Sequence, residues 1–85
     1  MTVKVELFTS DLCQRCDHAK DELRTVIEEL GAENFDLCLV NVVEHLDRGV
    51  ELGVLSTPAL AIKGELVFAP LPGRKALKAA LKQHL

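Results

Sequence analysis

The stretch VKVELFTSDLCQRCDHAKDELRTVIEEL, Val3 to Leu30, changes its hydrophobic period partway along, and two cysteines stand where it changes. Val3 to Phe8 alternates apolar and charged residues once and then ends apolar, which suits a strand of about six residues. From Ala19 onward the spacing is different: Leu23, Val26, Ile27 and Leu30 fall at i+4, i+7, i+8 and i+11. That is one stripe of an amphipathic helix, and Gly31 is its natural stop. A strand that runs into a helix, with Cys13 and Cys16 at the joint, is the unit from which the rest of the chain is read.

Downstream, Phe35 to Val43 (FDLCLVNVV) is apolar on both alternating faces, the pattern of a strand covered by helices on each side. Cys38, inside that run, is expected to be a buried structural thiol. Glu44 to Val54 reads as a short helix closed by Gly53. TPALAI (Thr57 to Ile62) and ELVF (Glu65 to Phe68), separated by Lys63-Gly64, read as a hairpin. Ala69 to Gly73 breaks that strand, and RKALKAALKQHL closes the chain as a helix burying Leu77, Ala80 and Leu81, with Leu85 at the end of the stripe. The order is β-α-β-α-β-β-α. A right-handed crossover makes the first two strands parallel and the hairpin adds an antiparallel pair. The expected fold is α/β, a four-stranded mixed sheet with helices on both faces, in one domain over residues 1–85.

Composition narrows the function. Eighty-five residues suffice for one core and not for two. Trp and Tyr are absent and Phe occurs three times, so the core must be built from Leu, Val, Ile and Ala. Ten basic against thirteen acidic residues leave a net charge of −3, which argues against a nucleic-acid partner. No stretch approaches the roughly 18 apolar residues that span a membrane. The start MTVKVELFTSD lacks the basic region, apolar stretch and cleavage site of a signal peptide, so a cytoplasmic, reducing location is expected. There, a close cysteine pair is more often catalytic or metal-binding than a permanent staple.

A helix beginning near Cys13 and advancing about 100° per residue gives the two cysteines different surroundings. With Cys13 at zero, the apolar stripe centres near about 265° and Cys16, at about 300°, lies within it. Cys13 sits at the helix entrance, off the stripe, where backbone N–H groups are unpaired and the helix dipole favours an anion. A dithiol catalyst needs this asymmetry: the outer thiolate attacks and the shielded inner thiol resolves the mixed disulfide. Arg15 adds favourable positive charge and Asp17 opposes it at short range. Cys-x-x-Cys is also half of a zinc site. The further ligands on offer are Cys38, His18, His45 and His84. His18 falls near about 140°, on the solvated side of the wheel, and His45 and His84 lie in polar contexts with nothing metal-like beside them. Three classes therefore stay open on the residues alone: a thiol–disulfide oxidoreductase, a metal or iron–sulfur module shared through Cys13, and a docking domain with idle cysteines.

Cys13-Gln14-Arg15-Cys16 after the first strand, STPAL (Ser56 to Leu60) before the third, and the element order together resemble the thioredoxin-like superfamily. The resemblance covers essentially the whole chain, without the extra N-terminal strand and helix of full thioredoxins. GVLSTPALAIKGELVF is most similar to small, glutaredoxin-sized thioredoxin-like proteins of archaea and bacteria, the redox-active disulfide proteins. The resemblance implies a cis Thr57–Pro58 bond facing the cysteine pair, with the Thr57 backbone pairing with a substrate strand. It also implies Cys13 as nucleophile, Cys16 as resolving thiol, and no metal or cofactor beyond the dithiol. The partners implied are disulfide-containing proteins, with an upstream reductase or low-molecular-weight thiol as electron donor, around a monomer. The departures are local. Leu12 stands where thioredoxins carry Trp, and Gln14-Arg15 fills the gap between the cysteines, so these two are the expected redox-tuning residues. Leu7 stands where thioredoxins bury an aspartate. Pro70-Leu71-Pro72-Gly73-Arg74 replaces the Gly-Gly and acidic pair with which glutaredoxins hold glutathione, which speaks against glutathione-dependent chemistry. Pro70 or Gly73 is expected to line the substrate groove.

Overall fold

The computed structural model of the chain describes residues 2–11 and 13–85. Strand β1 (Val3–Thr9) leads to helix α1 (Cys16–Leu30), then a 3-10 turn (Ala32–Asn34) and β2 (Phe35–Asn41). Helix α2 (Leu46–Leu52), the hairpin β3 (Ala59–Ile62) and β4 (Glu65–Phe68), and helix α3 (Arg74–Lys82) follow. The sheet order is β2-β1-β3-β4. β1 and β2 are parallel, β1 and β3 antiparallel, and β3 and β4 antiparallel. The expected order of elements and the mixed sheet are both present.

β1 is central, and its alternation decides which helix lies on which face. Val3, Val5 and Leu7 point to one side, where they join Leu23, Val26 and Ile27 of α1, Leu60 and Ile62 of β3, and Leu77 and Leu81 of α3 in the main core. Glu6 and Phe8 point to the other side, toward α2. There Phe8 packs with Ala59 and Ala61, and Leu52 of α2 closes over them. Phe8 lies directly opposite Ala59 in the ladder, so the small side chain leaves room for the ring. All four residues of β3 are buried because helices cover both its faces. Burying each large aliphatic side chain contributes about 1.5–3 kcal/mol, so the main core supplies most of the fold's stability.

The hairpin turn is Lys63-Gly64, with φ of 54° and 82°. Both residues must be left-handed to match the twist of the strands, which is why glycine stands second.

Four expectations fail, each for a physical reason. β2 is an edge strand, not a covered one, and only Phe35 along it is buried. Its apolar run reflects one neighbour in the sheet and partial cover from the helices. Cys38 is consequently exposed, not a buried thiol. The strand also stops at Asn41, because the Asn41 side chain accepts the Val43 N–H at 2.8 Å and turns the chain. At the C-terminus, α3 ends at Lys82, which leaves Leu85 exposed and Ala80 half-buried. No helix among the described residues is long and apolar enough to cross a membrane.

Candidate active site

The two cysteines form a disulfide, with their Cα atoms 5.5 Å apart. Cys16 is the first residue of α1 and is buried, in line with Ala19, Leu23, Val26 and Ile27. Cys13 is half-buried, and its neighbours Gln14 and Arg15 are exposed. The asymmetry expected from helical periodicity is thus present, but its cause is shifted. The helix starts at Cys16 and not near Cys13, because Gln14 and Arg15 form a turn and the Cys13 N–H donates to the Ser10 carbonyl at 3.2 Å. Arg15 caps α1 with its carbonyl, which accepts the Ala19 N–H at 2.9 Å, and no side chain caps the first turn. Through the disulfide, the Cys13 sulfur is held at that turn, where free backbone N–H groups favour negative charge.

The Thr57–Pro58 peptide bond is cis. Thr57 and Pro58 lie in the bend just before β3 rather than within the strand, and Pro58 is buried. Among the described residues, two hydrogen bonds join this bend to its surroundings. The hydroxyls of Thr57 and Ser10 lie 3.1 Å apart, and the Leu71 N–H donates to the Pro58 carbonyl at 2.8 Å. Ser10, Cys13, Gln14, Arg15 and Thr57 consequently line one concavity, which brings together four of the candidates, Cys13, Gln14, Arg15 and Thr57, while Cys16 and Pro58 do not line it.

A second groove of about 430 Å³ adjoins it, between the first turns of α1 and the segment entering α3. Gln14, Arg15 and Pro58 line it, and so do both Pro70 and Gly73. The Ala69–Pro70 bond is cis too, which nothing in the sequence had signalled. Arg74 donates to Glu22 at 2.9 Å across this groove, and His18 approaches the same carboxylate at 3.6 Å. His18 is as solvated as its wheel position implies. A separate depression lined by Val43 to Arg48 and Glu51 lies beside α2 and contains no cysteine.

Leu7, at the position where thioredoxins bury an aspartate, is fully buried in the main core, so no carboxylate stands there. The buried acid of this chain is instead Glu6, one residue earlier and on the opposite face. Arg48 of α2 holds both its oxygens, at 3.0 and 2.7 Å. Hydrogen bonds from Arg48 outweigh the cost of burial and keep the Glu6 carboxyl below its ordinary value of 4.5. Glu6 shares its face of β1 with the apolar Phe8, a signal that could have marked it as buried, but nothing local marks Arg48 as its partner. Leu12, which replaces the thioredoxin Trp, lies outside the described residues. Among the described residues, no group of three or more His, Cys, Asp or Glu side chains is placed to hold a metal.

Comparison with known proteins agrees with this geometry. Residues 1–82 match the thioredoxin domain family. The chain is 34% identical over 83 residues to a thioredoxin of Methanocaldococcus jannaschii, covering 98% of this chain and 96% of that one. It is 29% identical over 85 residues to a probable thioredoxin of Methanothermobacter marburgensis, covering 100% and 99% of the two chains. The structure of thioredoxin 1 from Thermosipho africanus superposes with a TM-score of 0.77 at 19% identity, covering 95% and 92%, and so shares the fold. The disulfide at the strand–helix joint, together with these thioredoxin relatives, makes the chain a thiol–disulfide oxidoreductase of thioredoxin-like architecture. The chain belongs to the thioredoxin family.

Proposed function

We propose that Cys13 is the attacking thiol and Cys16 the resolving thiol in the reduction of protein disulfides. The observation that supports this reading is the unequal burial of the bonded pair, with Cys13 opening on the concavity that Thr57 shares. In the reduced protein the Cys13 thiolate attacks one sulfur of a substrate disulfide. The substrate S–S bond breaks, its departing thiolate takes a proton from water, and a mixed disulfide forms. Cys16 then loses its proton to solvent and attacks the Cys13 sulfur. The second substrate thiolate leaves and the Cys13–Cys16 disulfide closes. Two electrons have passed to the substrate, and an electron donor must return two to restore the dithiol.

The Thr57 backbone beside Pro58 holds the substrate strand, and Gln14 and Arg15 set the reduction potential. The cysteine pair is the redox group, without a further cofactor or metal. The electron donor is an upstream reductase or a low-molecular-weight thiol. The protein works as a monomeric single domain in the cytoplasm.

Reduction of insulin driven by dithiothreitol tests the reading. The native protein accelerates the reaction, and Cys13→Ser removes the acceleration. An unchanged rate with Cys13→Ser would end the proposal.

A further inference from the structure

Ser10 is the residue that joins the two halves of the site. Its backbone carbonyl accepts the Cys13 N–H at 3.2 Å, and its hydroxyl lies 3.1 Å from the hydroxyl of Thr57. It therefore touches the loop that carries the nucleophile and the bend that carries the cis proline. The link spans 47 positions of sequence, and both hydroxyls are partly buried. Val54 to Pro58 lies outside helix and strand. On the other side, Leu71 anchors Pro58 by its carbonyl, which leaves the Thr57 side chain to Ser10. The next residue, Asp11, is itself held by the Asn41 side chain at 2.7 Å, so Ser10 has a fixed base.

We infer that Ser10 is a positioning residue for disulfide exchange, setting the Thr57 backbone at the distance from Cys13 that presents a substrate disulfide in line with the attacking sulfur. The inference rests on the proposed roles of Cys13 and Thr57. Its physical basis is the steep dependence of reaction rate on alignment, in which small misplacements of a reacting group cost large factors. Cys13 itself needs no such alignment toward a small, freely rotating disulfide. A protein disulfide, held by its own backbone, does. Loss of the hydroxyl contact should thus fall on protein substrates selectively.

The experiment compares kcat/KM for insulin with the rate constant for bis(2-hydroxyethyl) disulfide in the reduced protein. Ser10→Ala and Thr57→Val each lower the insulin value about fivefold more than the small-disulfide value, the factor expected for one lost hydrogen bond. The double variant loses no more than either single one, because both remove the same contact. Ser10→Thr and Thr57→Ser, which keep a hydroxyl, retain most of the native ratio. Equal losses toward both substrates, multiplying losses in the double variant, or native ratios in both single variants would each overturn the inference. If Ser10→Ala does not fold, the contrast between Thr57→Val and Thr57→Ser carries the same test. A native protein that fails to reduce insulin would instead refute the assigned roles of Cys13 and Thr57, so the two failures are distinguishable.

Discussion

Arg48 grips the carboxylate of Glu6 at both oxygens, 3.0 and 2.7 Å away, and so binds α2 to the central strand of the sheet. Glu6 is 4% exposed. A carboxylate buried to that degree is stable only with its partner, so Arg48→Met should destabilise the protein by stranding the charge. The loss should exceed that from Lys78→Ala, which removes a looser, exposed pair with Glu29 at 3.8 Å. Replacing both partners, as Glu6→Leu with Arg48→Met, should recover much of the loss. Urea denaturation of the four proteins measures the order.

The same pair gives a pH dependence. Arg48 keeps the folded Glu6 carboxyl below its ordinary value of 4.5. The folded state therefore holds this proton less tightly than the unfolded chain, and stability rises with pH through that window. The contribution is fully present above the ordinary carboxylate range and is lost as pH falls through the lowered folded value. Thermal melts should show the gap between native protein and Arg48→Met at its widest above about pH 5. A gap that widens as pH falls below 4.5 would contradict the pairing.

Cys38 is exposed on the edge strand, while the other two of the three cysteines are bonded to each other. The oxidised protein should accordingly bind one equivalent of a thiol reagent under native conditions, and the site should map to Cys38. After reduction, Cys13 should be modified ahead of Cys16, which is 6% exposed. Peptide mass spectrometry distinguishes the three positions.

The failure to foresee the exposure of Cys38 shows where sequence stops being informative. The alternation in Val3 to Phe8 and the stripe from Ala19 to Leu30 are local signals, and they led to the right elements and the right burial of Cys16. Whether a strand is central or at an edge depends on which strands pair, and that is decided by contacts far apart in sequence. The run Leu37 to Val40 reads the same in either place. Glu6 with Arg48 and Ser10 with Thr57 escaped for a similar reason, since each joins residues more than forty positions apart. Cys13, Cys16 and Pro58 were legible because fixed spacing and the restricted chemistry of proline mark them locally.

The exposed guanidinium of Arg15 stands between the cysteines with no partner in a salt bridge among the described residues. In the proposed redox-tuning role, its positive charge acts on the reactivity of Cys13. Arg15→Glu should slow attack on a small disulfide at neutral pH about threefold or more, because thiolate is the reactive form. The deficit should shrink at high ionic strength, since the charge is in contact with solvent. Stopped-flow rates at low and high salt check both statements; a salt-independent deficit would point to geometry and not charge.

Trapping of the mixed disulfide bears most directly on the assigned roles. Reduced Cys16→Ser protein, mixed with insulin and quenched in acid, should yield a covalent adduct whose fragments place the bond at Cys13. The Cys13→Ser protein should yield little adduct at Cys16, because that thiol is buried, and fragment mapping separates any adduct at the exposed Cys38. An adduct at Cys16 in the second protein equal to that at Cys13 in the first would contradict the division of labour proposed for this pair.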